Sequence, residues 1–278
     1  MGWVVGVVVV LVLMLIAFLY WQLILAEGAY LGRRMVVLLY DLSARVYDRI
    51  KGYNPGYEQW FLGLPLSRAL VDHPDPLILD VATGTARLAR TLFRQNGFRG
   101  RLVGLDLSRK MLQQAVQTTE MWAHRITFIR QDASQLPFSD ATFDAVVCLE
   151  ALEFMPDPDQ VLREMARVLR PGGVFLITNR IGKDARWLPG RTYKSEAFEA
   201  KLHALLLEMV HTKMWQEDYD LVSAVKVGAR GPTASQRLEE ILCCPRCQQP
   251  MQRRDAAFHC ENGHVVPITA EGILDMAR

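Results

Sequence analysis

Leu77-Ile78-Leu79-Asp80-Val81-Ala82-Thr83-Gly84-Thr85-Ala86 is the stretch that decides the fold. A short apolar run closed by small, turn-forming residues predicts a buried strand, and the helical pattern over Ala86–Gln95 follows it directly. The unit repeats along the chain. Strands are predicted at Leu77–Val81, Arg101–Leu105, Ile126–Arg130, Ala145–Leu149 and Gly173–Thr178, and further helices at Ser108–Met121 and Asp159–Leu169. Ser108 is a good N-cap, and Pro171-Gly172-Gly173 predicts a firm stop. Strands alternating with helices predict a parallel sheet with crossover helices.

Open α/β sheets bind ligands at the C-terminal ends of their strands. Here the ends read Asp80-Val81-Ala82-Thr83-Gly84-Thr85, Asp106-Leu107-Ser108, Gln131-Asp132-Ala133 and Leu149-Glu150, which puts three carboxylates on one rim. A carboxylate after the second strand suits a ribose diol. A pyrophosphate would need a fuller glycine loop and would meet Asp80 unfavourably. A ligand with a cationic centre and no phosphate fits better, and S-adenosylmethionine has that chemistry.

The segments LILDVATGTARLA, VGLDLS, IRQDASQLPFSDATFDAVVCLEALEFMPDP and LREMARVLRPGGVFLITNR resemble class I S-adenosylmethionine-dependent methyltransferases (methyltransferase type 11, close to quinone methyltransferases) over about residues 45–228. The resemblance implies an α/β fold, a Rossmann-like seven-stranded methyltransferase sheet with flanking helices, ending in a hairpin of Met209–Gln216 and Tyr219–Val227. It implies that Asp80, Ala82, Thr83, Gly84 and Thr85 hold the methionyl part, and that Asp106 takes the ribose hydroxyls. Leu107 and Met111 would flank the base, Asp132 and Ala133 would contact adenine, and Leu149 and Glu150 would border the sulfonium. Two stretches depart from the family. Alanines stand at two glycine positions of the loop, and Asn179-Arg180-Ile181-Gly182 replaces the acidic-aromatic run expected of quinone methyltransferases, which argues against a quinone acceptor. Methyl transfer is an in-line displacement, helped by alignment and water exclusion. Glu150, Glu153, Tyr47 and Tyr53 are the candidates to border the acceptor, each with a plain structural alternative. Cys148 lies in an apolar strand and reads as packing.

The first 26 residues contain no charged side chain, and Trp3–Trp21 is unbroken apolar. That length spans a ~30 Å hydrocarbon core, with Trp3, Tyr20 and Trp21 at the interfaces. A cleaved signal is the alternative, weakened by the absence of a positive n-region. Arg33, Arg34, Arg45, Arg49 and Lys51 follow the span, so the positive-inside rule predicts a single-pass membrane protein with a cytoplasmic catalytic domain. Residues 27–52 alternate apolar and basic groups, which suits either a helix on the membrane surface or one packed on the domain.

Near the other end, Cys244-Pro245-Arg246-Cys247 and Cys260-Glu261-Asn262-Gly263-His264 give C-x2-C and C-x3-H pairs. Three thiolates and an imidazole (Cys244, Cys247, Cys260, His264) suit structural Zn2+, against the alternatives of a chance cluster or a Cys243–Cys244 redox pair. This tail resembles small zinc ribbons fused to or partnering methyltransferases. The expected organisation is a transmembrane helix (1–26), a juxtamembrane amphipathic segment (27–52), the methyltransferase domain (53–228), a linker and short helix (229–240, the helix over Ala234–Leu242) and a small C-terminal zinc ribbon (241–278). The 278 residues hold 32 Lys+Arg against 30 Asp+Glu, a net charge of +2, without the basic excess of a nucleic-acid binder. The favoured function is a membrane-anchored methyltransferase using S-adenosyl-L-methionine on a small, lipophilic acceptor. The alternatives are an RNA methyltransferase reading RNA through the ribbon, and a non-catalytic module that binds a protein partner.

Overall fold

The computed structural model describes residues 2–229, 231 and 237–277. Eleven strands form among them: β1 Leu77–Val81, β2 Arg101–Asp106, β3 Ile126–Arg130, β4 Phe143–Cys148, β5 Leu169–Arg180, β6 Leu207–Trp215, β7 Tyr219–Lys226, β8 Met251–Arg254, β9 Ala257–Cys260, β10 Val265–Pro267 and β11 Leu274–Asp275. The main sheet runs β11-β3-β2-β1-β4-β5-β7-β6. Its pairs are parallel from β11 through β5, and β7 is antiparallel to both β5 and β6. This is the Rossmann-like methyltransferase sheet, with an eighth strand, β11, supplied by the C-terminal segment.

Alternate residues of each strand enter opposite cores, as the pleat requires. Leu79, Val103 and Val146 face one core, shared with Val161, Leu162 and Met165 of helix Pro158–Val168. Ile78, Leu102 and Val147 face the other, shared with Leu112 and Ala115 of helix Arg109–Thr118. The caps follow local chemistry. Ser108 Oγ accepts the Met111 N–H at 3.1 Å, and Asp157 accepts that of Gln160 at 2.9 Å.

Helix Pro158–Val168 ends just before Pro171-Gly172-Gly173, as that stop predicts. The strand expected from Gly173 begins earlier, at Leu169, so the Pro-Gly-Gly lies inside β5, where the register against β4 jumps from Phe143↔Leu169 to Ala145↔Val174. A Cβ at Gly173 would stand 2.6 Å from Leu169 Cδ1 and 2.8 Å from the Arg170 carbonyl, so only glycine fits the irregularity.

Helix Gly2–Tyr20 carries no buried residue and continues through a wider turn, Trp21–Leu25. The 24 residues Gly2–Leu25 meet the length and hydropathy of a membrane span, about 36 Å at 1.5 Å per residue. At its base, Ala26 and Ala29 pack with Phe154 and Leu188 of the domain. Helix Arg33–Ser43 follows. Near the C-terminus Leu238–Ile241 is helical; residues 234–236 of the expected helix, and Arg230 and Pro232 of the expected linker, lie outside the described residues. Strands β8–β10 form a small antiparallel sheet. Among the described residues the ribbon has no separate core: Leu242, Met251, Phe258 and Met276 share one cluster with Phe143 of β4 and with Leu136 and Phe138 of the segment before it.

Candidate active site

A cavity of 940 Å³ opens at the C-terminal ends of β1–β4. The turn after β1 shapes one wall. Ala82, Gly84 and Ala86 all take left-handed backbone, at φ 55°, 54° and 63°. The two alanines do so at a cost of about 1–2 kcal/mol each. A Cβ on Gly84 would meet no protein atom within 4 Å. The Gly84 N–H instead donates to Asp106 Oδ2 at 2.9 Å, and the Ser108 N–H to Oδ1 at 2.8 Å, fixing that carboxylate at the cavity wall. Asp80 lies beneath the turn and accepts the Thr83 hydroxyl at 2.5 Å.

Burial pushes the Asp80 carboxyl up to about 7, against the Thr83 hydrogen bond and with Asp106 adding to the rise. Loss of solvent likewise pushes Asp106 up to about 6, despite the N–H groups of Ser108 and Gly84. Asp132 differs. Burial would raise it, but the Ser134 N–H at 2.8 Å and the Arg33 guanidinium at 2.6 Å hold it below the usual range. Two raised carboxyls on one rim, beside an open glycine, favour a ligand that brings positive charge and hydroxyls and disfavour a phosphate.

An ionic network meets the cavity at Glu150. The Arg87 Nε and Nη2 groups donate to both oxygens of Glu58 at 2.6 Å, and Nη1 donates to Glu150 Oε1 at 2.6 Å. The guanidinium lies 4.0 Å from the Tyr53 ring. Lys51 stands 3.4 Å from Glu150 Oε2 and the Trp215 indole N–H 3.3 Å from Oε1. Burial would raise the Glu150 carboxyl, yet Arg87 and Lys51 pull it below the ordinary value. Glu153 goes the other way: burial raises it, although Tyr219 donates to it at 2.5 Å. Burial also raises both phenols, Tyr47 well above 10 and Tyr53 to about 12.

Of the residues expected at the site, Ala82, Gly84, Asp106, Leu107, Asp132 and Ala133 line the cavity, as do Leu149, Glu150 and Tyr47. Asp80, Thr83, Thr85 and Met111 lie behind the wall; Thr85 donates to Asp48 at 2.5 Å, and Met111 packs in the core. Glu153 and Tyr53 are also off the lining, next to the residues that form it. Sequence patterns gave no sign of the Arg87–Glu58 pair, or of the lining supplied by Arg33, Val36, Val37 and Tyr40 on the helix after the span. The alternation of apolar and basic residues there signalled an amphipathic helix without saying what it covers. Cys148 is fully buried in β4.

Cys244, Cys247, Cys260 and His264 converge, with their ligand atoms all within 4.8 Å of one another. His264 Nδ1 lies 3.4 Å from the sulfurs of Cys244 and Cys260 and 3.5 Å from that of Cys247, and the Cys247 and Cys260 sulfurs are 3.8 Å apart. A tetrahedral ion with bonds of ~2.3 Å to sulfur and ~2.0–2.1 Å to nitrogen requires edges of about 3.8 and 3.5 Å, and the donor set matches. Cys243 turns away, toward Ser139 at 3.6 Å.

Residues 79–177 match the family model described as a methyltransferase domain. Methyltransferase GfsG of Streptomyces halstedii is 40% identical over 104 residues, 37% of this chain and 37% of that protein. The ubiquinone/menaquinone biosynthesis C-methyltransferase UbiE of Hahella chejuensis is 36% identical over 127 residues, 44% of this chain and 50% of that protein. The chain thus spans half or less of the length of these relatives. The crystal structure of the (4+2)-cyclase SpnF is similar at a TM-score of 0.59 and 20% identity, over 70% of this chain and 97% of that one, a likeness of fold. The segment from β1 to β5 therefore matches a methyltransferase domain, within a sheet of methyltransferase-like fold.

Proposed function

We propose that the protein is a membrane-anchored methyltransferase that transfers the methyl group of S-adenosylmethionine to a small, lipophilic acceptor. One observation carries the choice of acceptor. Helix Arg33–Ser43, which follows the candidate span, turns Val36, Val37 and Tyr40 into the cavity, while Leu38 and Leu42, then Val46 and Ile50, expose an apolar stripe at four-residue spacing. A stripe of that kind beside Arg34, Arg45 and Arg49 suits the surface of a bilayer. The cavity then opens next to the phase in which a lipophilic acceptor dissolves, and tethering raises its effective concentration.

The methyl donor, when bound, supplies an electrophilic methyl on a sulfonium. This chain's residues bind and orient around it. Asp106 is placed to accept ribose hydroxyls, with Asp132 and Ala133 at the adenine end and Asp80 supporting the methionyl end beneath the turn. Glu150, neutralised by Arg87 and Lys51, is a weak base, and we assign it to orientation at the sulfonium side with Tyr47. Glu153, with its raised carboxyl, is the better proton acceptor if the acceptor must lose a proton, with Tyr53 covering Arg87 behind it. The Cys244, Cys247, Cys260 and His264 set is assigned to structural zinc.

Fold alone does not decide the reaction, since one methyltransferase-like structure is titled a cyclase. RNA recognition through the ribbon is disfavoured by Phe258, which is 1% exposed and leaves its ring unavailable for stacking. The test is to incubate the detergent-solubilised protein with radiolabelled S-adenosylmethionine and separate lipid and RNA extracts. Label in the lipid fraction supports the proposal. Label in RNA replaces the acceptor, and failure to bind the methyl donor favours the non-catalytic, partner-binding alternative.

A further inference from the structure

We propose that the metal-bearing ribbon is a positioning element of the cofactor site, acting through Asp275 and Arg130 on the backbone that carries Leu107 and Asp132. The inference rests on the assignment of the cavity to the methyl donor.

Strand β11 has two residues, Leu274 and Asp275, paired parallel with Ile129 and Arg130 of β3. The N–H groups of Met276 and Ala277 both donate to the Arg130 carbonyl at 2.9 Å. A strand so short does not hold an edge by its own ladder. The ribbon holds it. Leu274 bridges to Ile268, and Leu274 and Met276 are buried in one cluster with Cys244, Met251 and Cys260. Packed into the domain's core, the segment would draw further order from a metal held by its four converging ligands, which otherwise crowd without a common partner.

Arg130 is the link. Its Nη1 donates to both oxygens of Asp275 at 3.0 and 3.3 Å, and its Nε donates to the Leu107 carbonyl at 3.2 Å. One side chain therefore joins the ribbon's strand to the residue after Asp106. The Gln131 N–H donates to the Asp106 carbonyl at 3.1 Å, so the loops after β2 and β3 are tied to each other as well. The ribbon grips the same side of the domain elsewhere. The Cys243 N–H donates to the Pro137 carbonyl at 2.8 Å, and Leu242 bridges to Phe138. Gln248, one residue past Cys247, reaches the cavity lining itself. The ribose and adenine end of the cavity thus leans on a module whose order depends on four ligands.

The experiment uses the detergent-solubilised full chain, with metal content measured by mass spectrometry and adenosylhomocysteine and adenosine affinity by calorimetry. The wild type should hold one zinc. Asp275→Ala should keep the zinc and weaken adenosylhomocysteine binding about five- to tenfold, the scale of a lost charge-assisted contact. Asp275→Glu should restore affinity to within about twofold. Adenosine, which reaches the Asp106–Asp132 end alone, should lose the same factor, which a general loss of stability would not single out. The Cys247→Ser/Cys260→Ser double variant should lose both zinc and at least tenfold in affinity. If it fails to fold, the Asp275 series decides by itself. Folded Asp275→Ala protein that binds both ligands within twofold of wild type overturns the inference and leaves the cavity assignment intact. A wild type that binds neither ligand removes both.

Discussion

Asp80 should make the free protein less stable than it would be with a neutral side chain, and the deficit should grow with pH. Its carboxyl is raised from 3.8 to about 7 in the fold, chiefly by burial. A raised carboxyl keeps its proton longer in the folded state than in the unfolded one, so its stabilising balance is full below about pH 4 and is lost as pH climbs through 7. At about 1.4 kcal/mol per unit, the raised carboxyl costs about 2 kcal/mol at pH 5, where it must take up a proton on folding, and about 4 kcal/mol at pH 8, where it is buried charged. Asp80→Asn removes the titration and keeps an acceptor for the Thr83 hydroxyl. If half of the pH 8 figure is recovered, Tm rises about 4–8 °C at about 2–4 °C per kcal/mol for a domain of this size. The gain at pH 5 should be less than half as large. The same variant should bind the cationic methyl donor more weakly, because the negative charge is lost. Intrinsic-fluorescence melts of both proteins at pH 5 and 8, without ligand, provide the readout. Asp80→Asn melting no higher than wild type at pH 8, or a gain that does not shrink at pH 5, would refute the argument.

Glu58→Gln takes one carboxylate from a guanidinium that is buried between two, and should destabilise by about 2–4 kcal/mol in urea titrations, somewhat below a complete break of a buried pair because Glu150 still holds Arg87. Gly84→Ala meets no protein atom but puts a Cβ on a left-handed residue at the cavity wall. It should cost about 1 kcal/mol of stability and about tenfold in adenosylhomocysteine affinity by calorimetry; a variant that binds as wild type does would place the methyl donor away from the turn. Affinity for S-adenosylmethionine should rise between pH 5.5 and 7.5, as Asp106 (about 6) and Asp80 (about 7) lose their protons. Adenosylhomocysteine, without the sulfonium charge, should show a shallower rise, and equal slopes would argue against a carboxylate-stabilised cation.

What could be read from the sequence was what is local. Strand ends at Asp80, Asp106 and Asp132, the Ser108 cap and the two Cys/His pairs each follow from a few neighbouring residues, and the structure has the strands and the cap and gathers the four ligand atoms. What could not be read was pairing at a distance. Asp275 meets Arg130 across 145 positions, from a two-residue strand with no periodicity to detect. Glu58 and Arg87 each look like ordinary charged helix residues until the turn after β1 buries them together. The strand expected from Gly173 starts earlier for a related reason. Pro171-Gly172-Gly173 follows the end of helix Pro158–Val168 as expected, but β4 already pairs Phe143 with Leu169 and resumes at Val174, so the break survives inside β5 as a shift of register.

Asp132 shows why the two ends of the chain matter to the same site. From the helix after the candidate span it receives Arg33, whose side chain is 58% exposed, at 2.6 Å. Such a pair contributes about 0–1 kcal/mol and is weakened further by salt, so a ligand entering the cavity can displace it at little cost. From the other side, Asp132 stands two residues beyond Arg130, whose backbone is held by β11 and whose side chain by Asp275. That support is part-buried at the Arg130–Asp275 pair and flanked by buried Ile129, Leu274 and Met276, so it is better shielded from solvent than the Arg33 contact. The Asp132 end of the cavity therefore has one weak, exposed contact, carried on the helix that follows the candidate span, and one better-supported contact, carried on the C-terminal strand, so a ligand entering there would disturb the first before the second.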